Sequence, residues 1–140
     1  MRTLRATFTG RKGFGVAGDN LAPIVPLILE RTGLRSLEKG TLNLSLPAPY
    51  IVLADAVITG EEYFLGERIK LQRCLVRGIR ALIMRPDTHE ATPPYGHGPA
   101  HLELLSEYHL TSTLGLSPGS VVEVEVEGDE AWWRSGRGIT

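Results

Sequence analysis

Gly40-Thr41-Leu42-Asn43-Leu44-Ser45-Leu46 is the stretch on which the fold is decided. Read with a period of two, it sets Leu42, Leu44 and Leu46 on one face and Thr41, Asn43 and Ser45 on the other, the pattern of a half-buried strand. The polar face is unusual: a hydroxyl and a carboxamide two residues apart on a rigid strand hold two neutral oxygens about 7 Å apart by the strand rise. That spacing suits one hard cation and its bound phosphates, and it equally suits an edge strand whose Thr and Asn face water. Gly40 leaves room for a backbone or a ligand to approach.

The strand belongs to a chain of 140 residues, 42% of them hydrophobic, which is enough for a single core. One domain over residues 1–128, followed by a polar tail over 129–140, is the expected organisation. The 15 Lys and Arg nearly balance the 16 Asp and Glu, so no basic stripe points to nucleic acid. Cys74 is the single cysteine and has no partner for a disulfide or a zinc site. The N-terminal residues lack an apolar h-region and no apolar run reaches about 18 residues. The sequence therefore reads as a cytoplasmic protein with no membrane segment, a monomer or small homo-oligomer.

Outward from the central strand, alternation recurs. Leu4, Ala6 and Phe8 alternate with Arg5, Thr7 and Thr9, and Val122, Val124 and Val126 alternate with Glu123, Glu125 and Glu127. Strands are also read over Tyr50 to Ile58, Glu67 to Val76, Arg80 to Met84 and from Leu102. Pro23 and Pro26 precede Ile24, Leu27, Ile28 and Arg31 at helical spacing, and Gly33 stops the run, which predicts one short helix. Tyr108 to Leu116 has room for one or two helical turns before the turn signal Gly115-Leu116-Ser117-Pro118-Gly119. Many short strands, little helix and no βαβ repeat predict a mainly all-β fold. The form expected is a small closed, cradle-loop or Greek-key-like β-barrel with one or two short helices. Closure would remove the exposed edges.

Two loops carry further chemistry. Gly10, Gly13, Gly15 and Gly18 surround Arg11, Lys12 and Phe14. Gly13-x-Gly15-x-x-Gly18 matches a dinucleotide fingerprint in form only, because Glu38 precedes its strand where the fingerprint's acid should close one. The loop reads as amides and cations able to wrap a polyphosphate, or as a surface turn. Residues 85–100 contain Pro86, Pro93, Pro94, His89 and His97, with His101 and Glu103 just beyond. His89, His97, His101 and Glu103 can be grouped as a metal site, although their spacing matches no regular ligand geometry. Glu103, an acid between leucines, points either outward or at a ligand hydroxyl.

Gly40-Thr41-Leu42-Asn43-Leu44, preceded by Thr32-Gly33-Leu34, and Glu103-Leu104-Leu105, followed by Leu110, Leu114-Gly115-Leu116, Gly119 and the strand from Val121 to Val126, together resemble one family. It is the CTP-dependent riboflavin kinases found mainly in archaea, and the resemblance runs over most of residues 4 to 128. It implies a cradle-loop barrel that moves the γ-phosphate of CTP to the 5′-hydroxyl of riboflavin, giving FMN and CDP. It further implies Mg²⁺ on Thr41 and Asn43, and the flavin against Glu103 and either Thr88 or Thr92. The nucleotide would lie under Gly10, Arg11, Lys12, Gly13, Phe14, Gly15 and Gly18 and against Tyr108, His109, Leu110 and Thr111. The family's basic pair is absent at His109 to Thr111, leaving Arg11 and Lys12 as its replacement.

Such a reaction asks a protein mainly to align two oxygens and neutralise charge, so neutral ligands on Mg²⁺ and a loop of amides suffice, with Glu103 as base or orienting group. Two other readings stand beside it: a non-catalytic flavin- or nucleotide-binding barrel, and a metal-dependent enzyme built on His89, His97, His101 and Glu103.

Overall fold

The computed structural model describes residues 1–10, 22–63, 66–90 and 98–139. Its strands are β1 (Arg2–Phe8), β2 (Leu42–Ser45), β3 (Ala56–Ile58), β4 (Ile69–Val76), β5 (Ile79–Pro86), β6 (His101–Ser106) and β7 (Val121–Val126). They pair antiparallel in the order β3-β4-β5-β6-β2-β1-β7, and a further β4–β7 pairing closes six of them into a barrel with β3 outside the ring. The seams differ in length. β1 and β7 share six residue pairs from Arg2↔Val126 to Thr7↔Val121, whereas β4 and β7 share two, Leu75↔Glu125 and Val76↔Val124.

Alternation explains the interior. Leu4, Ala6 and Phe8 of β1, Leu42 and Leu44 of β2, Leu102 and Leu104 of β6, and the three valines of β7 form one buried cluster with Cys74, Val76, Ala81 and Ile83. A period of two on a closed sheet puts every second residue inside, so the barrel fills itself with side chains.

A second core lies outside the wall. Leu71, Leu75, Leu82, Met84 and Leu105 meet Ile24, Ile28, Leu34, Ile58 and Trp133 there. The cover is α1 (Val25–Thr32), with Pro in its first turn and its end at Gly33, together with α3 (Glu130–Ser135). This is why β4 and β5 are apolar on both faces. The short helix α2 (Leu110–Thr113) links β6 to β7, giving three helices among the described residues.

Two segments differ from the sequence reading. Tyr50 to Ile58 is strand only over Ala56–Ile58. Tyr50 and Val52 are buried while Ile51 is 80% exposed, but the backbone bonds go to the Pro99 carbonyl and the Gln72 side chain, not to a neighbouring strand. Period-two burial without a ladder mimics a strand. The segment from Asp129 is likewise not a loosely held tail. The Asp129 carboxylate accepts from the Trp132 N–H at 2.7 Å and caps α3. Trp133 is 3% exposed, with the Arg73 and Arg80 guanidinium groups 5.3 and 5.9 Å from its ring centre. Arg137 then bonds to the Gly78 and Arg80 backbone.

Candidate active site on the outer barrel wall

Because Leu42, Leu44, Leu102 and Leu104 point inward, the residues between them must point outward. Asn43 and Glu103 stand directly opposite each other in the β2–β6 ladder, and Glu103 also faces Met84 of β5. Outward here does not mean wet. Asn43 is 4% and Glu103 6% exposed, with the His101 ring on Asn43 and the His89 ring beside Glu103. Thr41, at the start of β2, is half-buried.

Polar groups buried in this way need partners, and several lack them. The Thr41 hydroxyl and Asn43 Nδ2 make no hydrogen bond among the described residues. A buried, unsatisfied group costs roughly 1–3 kcal/mol. Asn43 Oδ1 lies 2.9 Å from His101 Nε2. The two ends of a carboxamide have the same shape, so exchanging them lets Nδ2 donate to His101 and frees the carbonyl oxygen. With that exchange two neutral oxygens, Thr41 Oγ1 and Asn43 Oδ1, are left on one side of a strand with no donor among the described residues to meet their lone pairs. The donor set fits a hard divalent cation that takes its negative charge from a ligand's phosphates.

Burial pushes the Glu103 carboxyl above its ordinary pKa, and the Thr41 hydroxyl opposes that shift. The Thr41 hydroxyl is thus within reach of donating to the Glu103 carboxylate, although not with normal hydrogen-bond geometry. His89, in the 3₁₀ turn Asp87–Glu90, brings Nδ1 to 3.9 Å from Glu103 Oε2. Its ring meets that of His101 edge-on, with centres 6.4 Å apart. Two of the three histidines grouped in the sequence therefore do converge on Glu103 and Asn43. No set of three His, Cys, Asp or Glu side chains among the described residues is arranged to hold a metal ion. His97 lies outside those residues.

The other candidates divide. Thr88 sits beside His89 with its side chain exposed, and its N–H donates to the Glu67 carboxylate. His109 caps α2, accepting from the Ser112 N–H at 3.3 Å. Its ring lies against Gly40, where a Cβ would stand 3.2 Å from His109 Cδ2. The close approach that Gly40 permits is therefore made by an imidazole, which puts the segment after β6 next to Thr41. Tyr108 is half-buried under the Arg137 guanidinium. Leu110 is 4% exposed and belongs to the barrel core, so it can offer a ligand only backbone. The Thr111 carbonyl accepts from the Leu116 N–H.

Gly10 leaves β1 at φ 76°, where a Cβ would stand 2.8 Å from Pro118 Cγ. Arg11, Lys12, Gly13, Phe14, Gly15, Gly18 and Thr92 lie outside the described residues. A separate cleft of about 410 Å³ between β4, β7 and α3, lined by Asp55, Gln72, Arg73, Glu127 and Trp132, shares no residue with this site.

Sequence reasoning overlooked Arg85. It is 1% exposed and donates to the carbonyls of Tyr50 at 2.9 Å, Pro99 at 3.2 Å and His101 at 3.0 Å. A buried guanidinium held by three backbone carbonyls, with the Glu90 carboxylate 3.5 Å away, ties the start of β6 to the Tyr50 segment. Nothing local marks it, because its partners come from distant segments. No protein-family profile and no curated protein sequence matches the chain.

Proposed function

We propose that the protein is a Mg²⁺-dependent phosphotransferase that moves the γ-phosphoryl group of a nucleoside triphosphate, CTP, to the 5′-hydroxyl of riboflavin. The observation that carries this reading is the meeting of Thr41, Asn43 and Glu103. Two unbonded neutral groups and a buried carboxyl share one patch of wall, next to the segment that carries His109. Thr41 and Asn43 would hold Mg²⁺, which when bound neutralises charge on the transferring phosphates.

Glu103 faces the acceptor. The riboflavin 5′-oxygen bonds to the γ-phosphorus, the bond from that phosphorus to the β-bridging oxygen breaks, and CDP leaves with the electron pair. The hydroxyl proton passes to the Glu103 carboxylate, whose burial makes it a stronger base than a solvated one. His89, close to Glu103, contributes to the polar lining of the acceptor side.

The test is to incubate the protein with riboflavin, Mg²⁺ and each of the four nucleoside triphosphates and to separate the products by chromatography. FMN formation with CTP supports the reading. A second reading, a flavin- or nucleotide-binding barrel without turnover, is motivated by α2, which carries Leu110, Thr111, Ser112 and Thr113 and no cation to meet a triphosphate. Tight binding of riboflavin or CTP with no FMN from any of the four donors would favour it.

A further inference from the structure

We infer that His101 is a positioning residue, whose Nε2 accepts the Asn43 Nδ2–H and so decides which end of the carboxamide is presented beside Thr41. The inference rests on the reading of Thr41 and Asn43 as cation ligands, and adds to it the group that orients one of them.

The geometry follows from register. His101 pairs with Ser45 and Glu103 with Asn43, so His101 is the diagonal neighbour of Asn43 on the outer face. A long side chain spans such a diagonal, and here the ring nitrogen reaches the carboxamide at 2.9 Å. Two arrangements fit that distance. If Nε2–H donates to Oδ1, the buried Nδ2 is left without a partner, and an N–H is what a cation would meet. If Nε2 accepts from Nδ2, the carbonyl oxygen takes the vacant direction. Only the second arrangement serves a cation, and the ring nitrogen's role selects it.

The ring itself is held by its backbone. Arg85 Nη2 donates to the carbonyls of Pro99 and His101. The His101 N–H bonds to the Gly98 carbonyl at 3.2 Å, and the Leu46 N–H to the Ala100 carbonyl at 2.7 Å. With the start of β6 tied to β2, β5 and its own preceding turn, His101 meets Asn43 from a fixed position. Pre-orientation of a ligand by such a neighbour is the device that metal sites use to hold geometry before the ion arrives.

The experiment uses Mn²⁺ as a spectroscopic stand-in for Mg²⁺, titrated by electron paramagnetic resonance into the full chain with CDP present. His101→Phe keeps a ring against His89 and removes the acceptor, whereas His101→Gln restores one. His101→Phe is expected to weaken Mn²⁺ binding by about 10- to 100-fold with metal-free CDP binding unchanged, and His101→Gln to recover most of the loss. The side-chain NH₂ resonances of Asn43 should shift in His101→Phe and return towards their wild-type positions in His101→Gln, a readout that needs no turnover.

Wild-type Mn²⁺ affinity in His101→Phe, or equal weakness in both variants, overturns the positioning role while leaving Thr41 and Asn43 as ligands. If His101→Phe does not fold, unshifted Asn43 resonances in His101→Gln together with wild-type Mn²⁺ affinity support the role, and displaced resonances overturn it. A wild-type protein that binds no Mn²⁺ with CDP present overturns both the role and the parent reading.

Discussion

Asn43 of β2 and Glu103 of β6 face each other across one rung of the barrel wall, both almost fully buried and both on the outer surface of the ring. A closed barrel packs its interior with alternate side chains, so chemistry placed on the remaining alternates must be carried outside and sheltered there by loops. The ring supplies rigidity, and the His89 and His101 rings lie against the two buried groups.

The Thr41 hydroxyl has no hydrogen-bond partner of normal geometry, whereas the Asn43 carboxamide is bonded at one end to His101. Thr41→Ala should change unfolding free energy by less than about 1 kcal/mol, and Asn43→Ala, which leaves the His101 ring nitrogen unmet, should cost about 1–3 kcal/mol. Mg²⁺-dependent FMN formation should fall by at least about a hundredfold. Denaturant titration and product chromatography on the same preparations check both halves, and full activity in both variants would end the kinase reading.

Trp133 is buried against the outer wall with two guanidinium groups over its ring. Trp133→Ala removes a large apolar body and two cation–π contacts at once, and should cost about 3–5 kcal/mol. Urea unfolding measures it. A change below about 1 kcal/mol would mean that α3 contributes nothing to the barrel.

Much of this architecture can be read from the chain, and the parts that cannot share a cause. β1 and β7 announce themselves by period two because one face is buried and the other is wet, and β2 because its outward residues are polar although Asn43 is covered. β4 and β5 blur the signal, since α1, α3 and β3 cover their outer face. Tyr50 to Val52 shows the period without the ladder, because its amide and carbonyl groups are met by Pro99 and by the buried Arg85. α3 has a readable start in Asp129 three residues before Trp132, yet glycines on both sides make the segment look like a tail. At the site, Thr41, Asn43 and Glu103 are legible one strand at a time. That His101 reaches Asn43 depends on which residues β2 and β6 set side by side, and register between strands 58 residues apart is written in no local pattern.

Cys74 is completely buried in the barrel interior, and loss of solvation, with Asp55 adding to it, pushes its thiol well above the ordinary cysteine range. The thiolate is the reactive form, so the native protein should resist a thiol reagent such as 5,5′-dithiobis(2-nitrobenzoate) at pH 8. In denaturant it should release one equivalent of chromophore. Rapid labelling without denaturant would show that the barrel opens readily.

Arg31 at the end of α1 meets Glu62 in a two-pronged pair, with one arm at 2.9 Å. Bonds from Arg31 first, then from the Thr59 backbone, lower the Glu62 carboxyl to about 2 from an ordinary 4.5. A carboxyl whose pKa is depressed on folding contributes stability that is complete above the unfolded value and is lost as pH falls through the folded one. The wild-type protein should therefore lose more stability than Glu62→Gln between about pH 4.5 and about pH 2. Both side chains are 30% exposed, so added salt should shrink the difference. Parallel acid-unfolding curves check the sign.

The ring is fastened between β4 and β7 at two rungs only, and the chain leaving β7 turns at once through Gly128 to lay Trp133 on the arginine of β4. That last helix works as a latch over one of two short joints, since β1 and β2 also share two rungs. Lengthening the hinge at Gly128 would loosen the latched joint with every residue of its filling untouched.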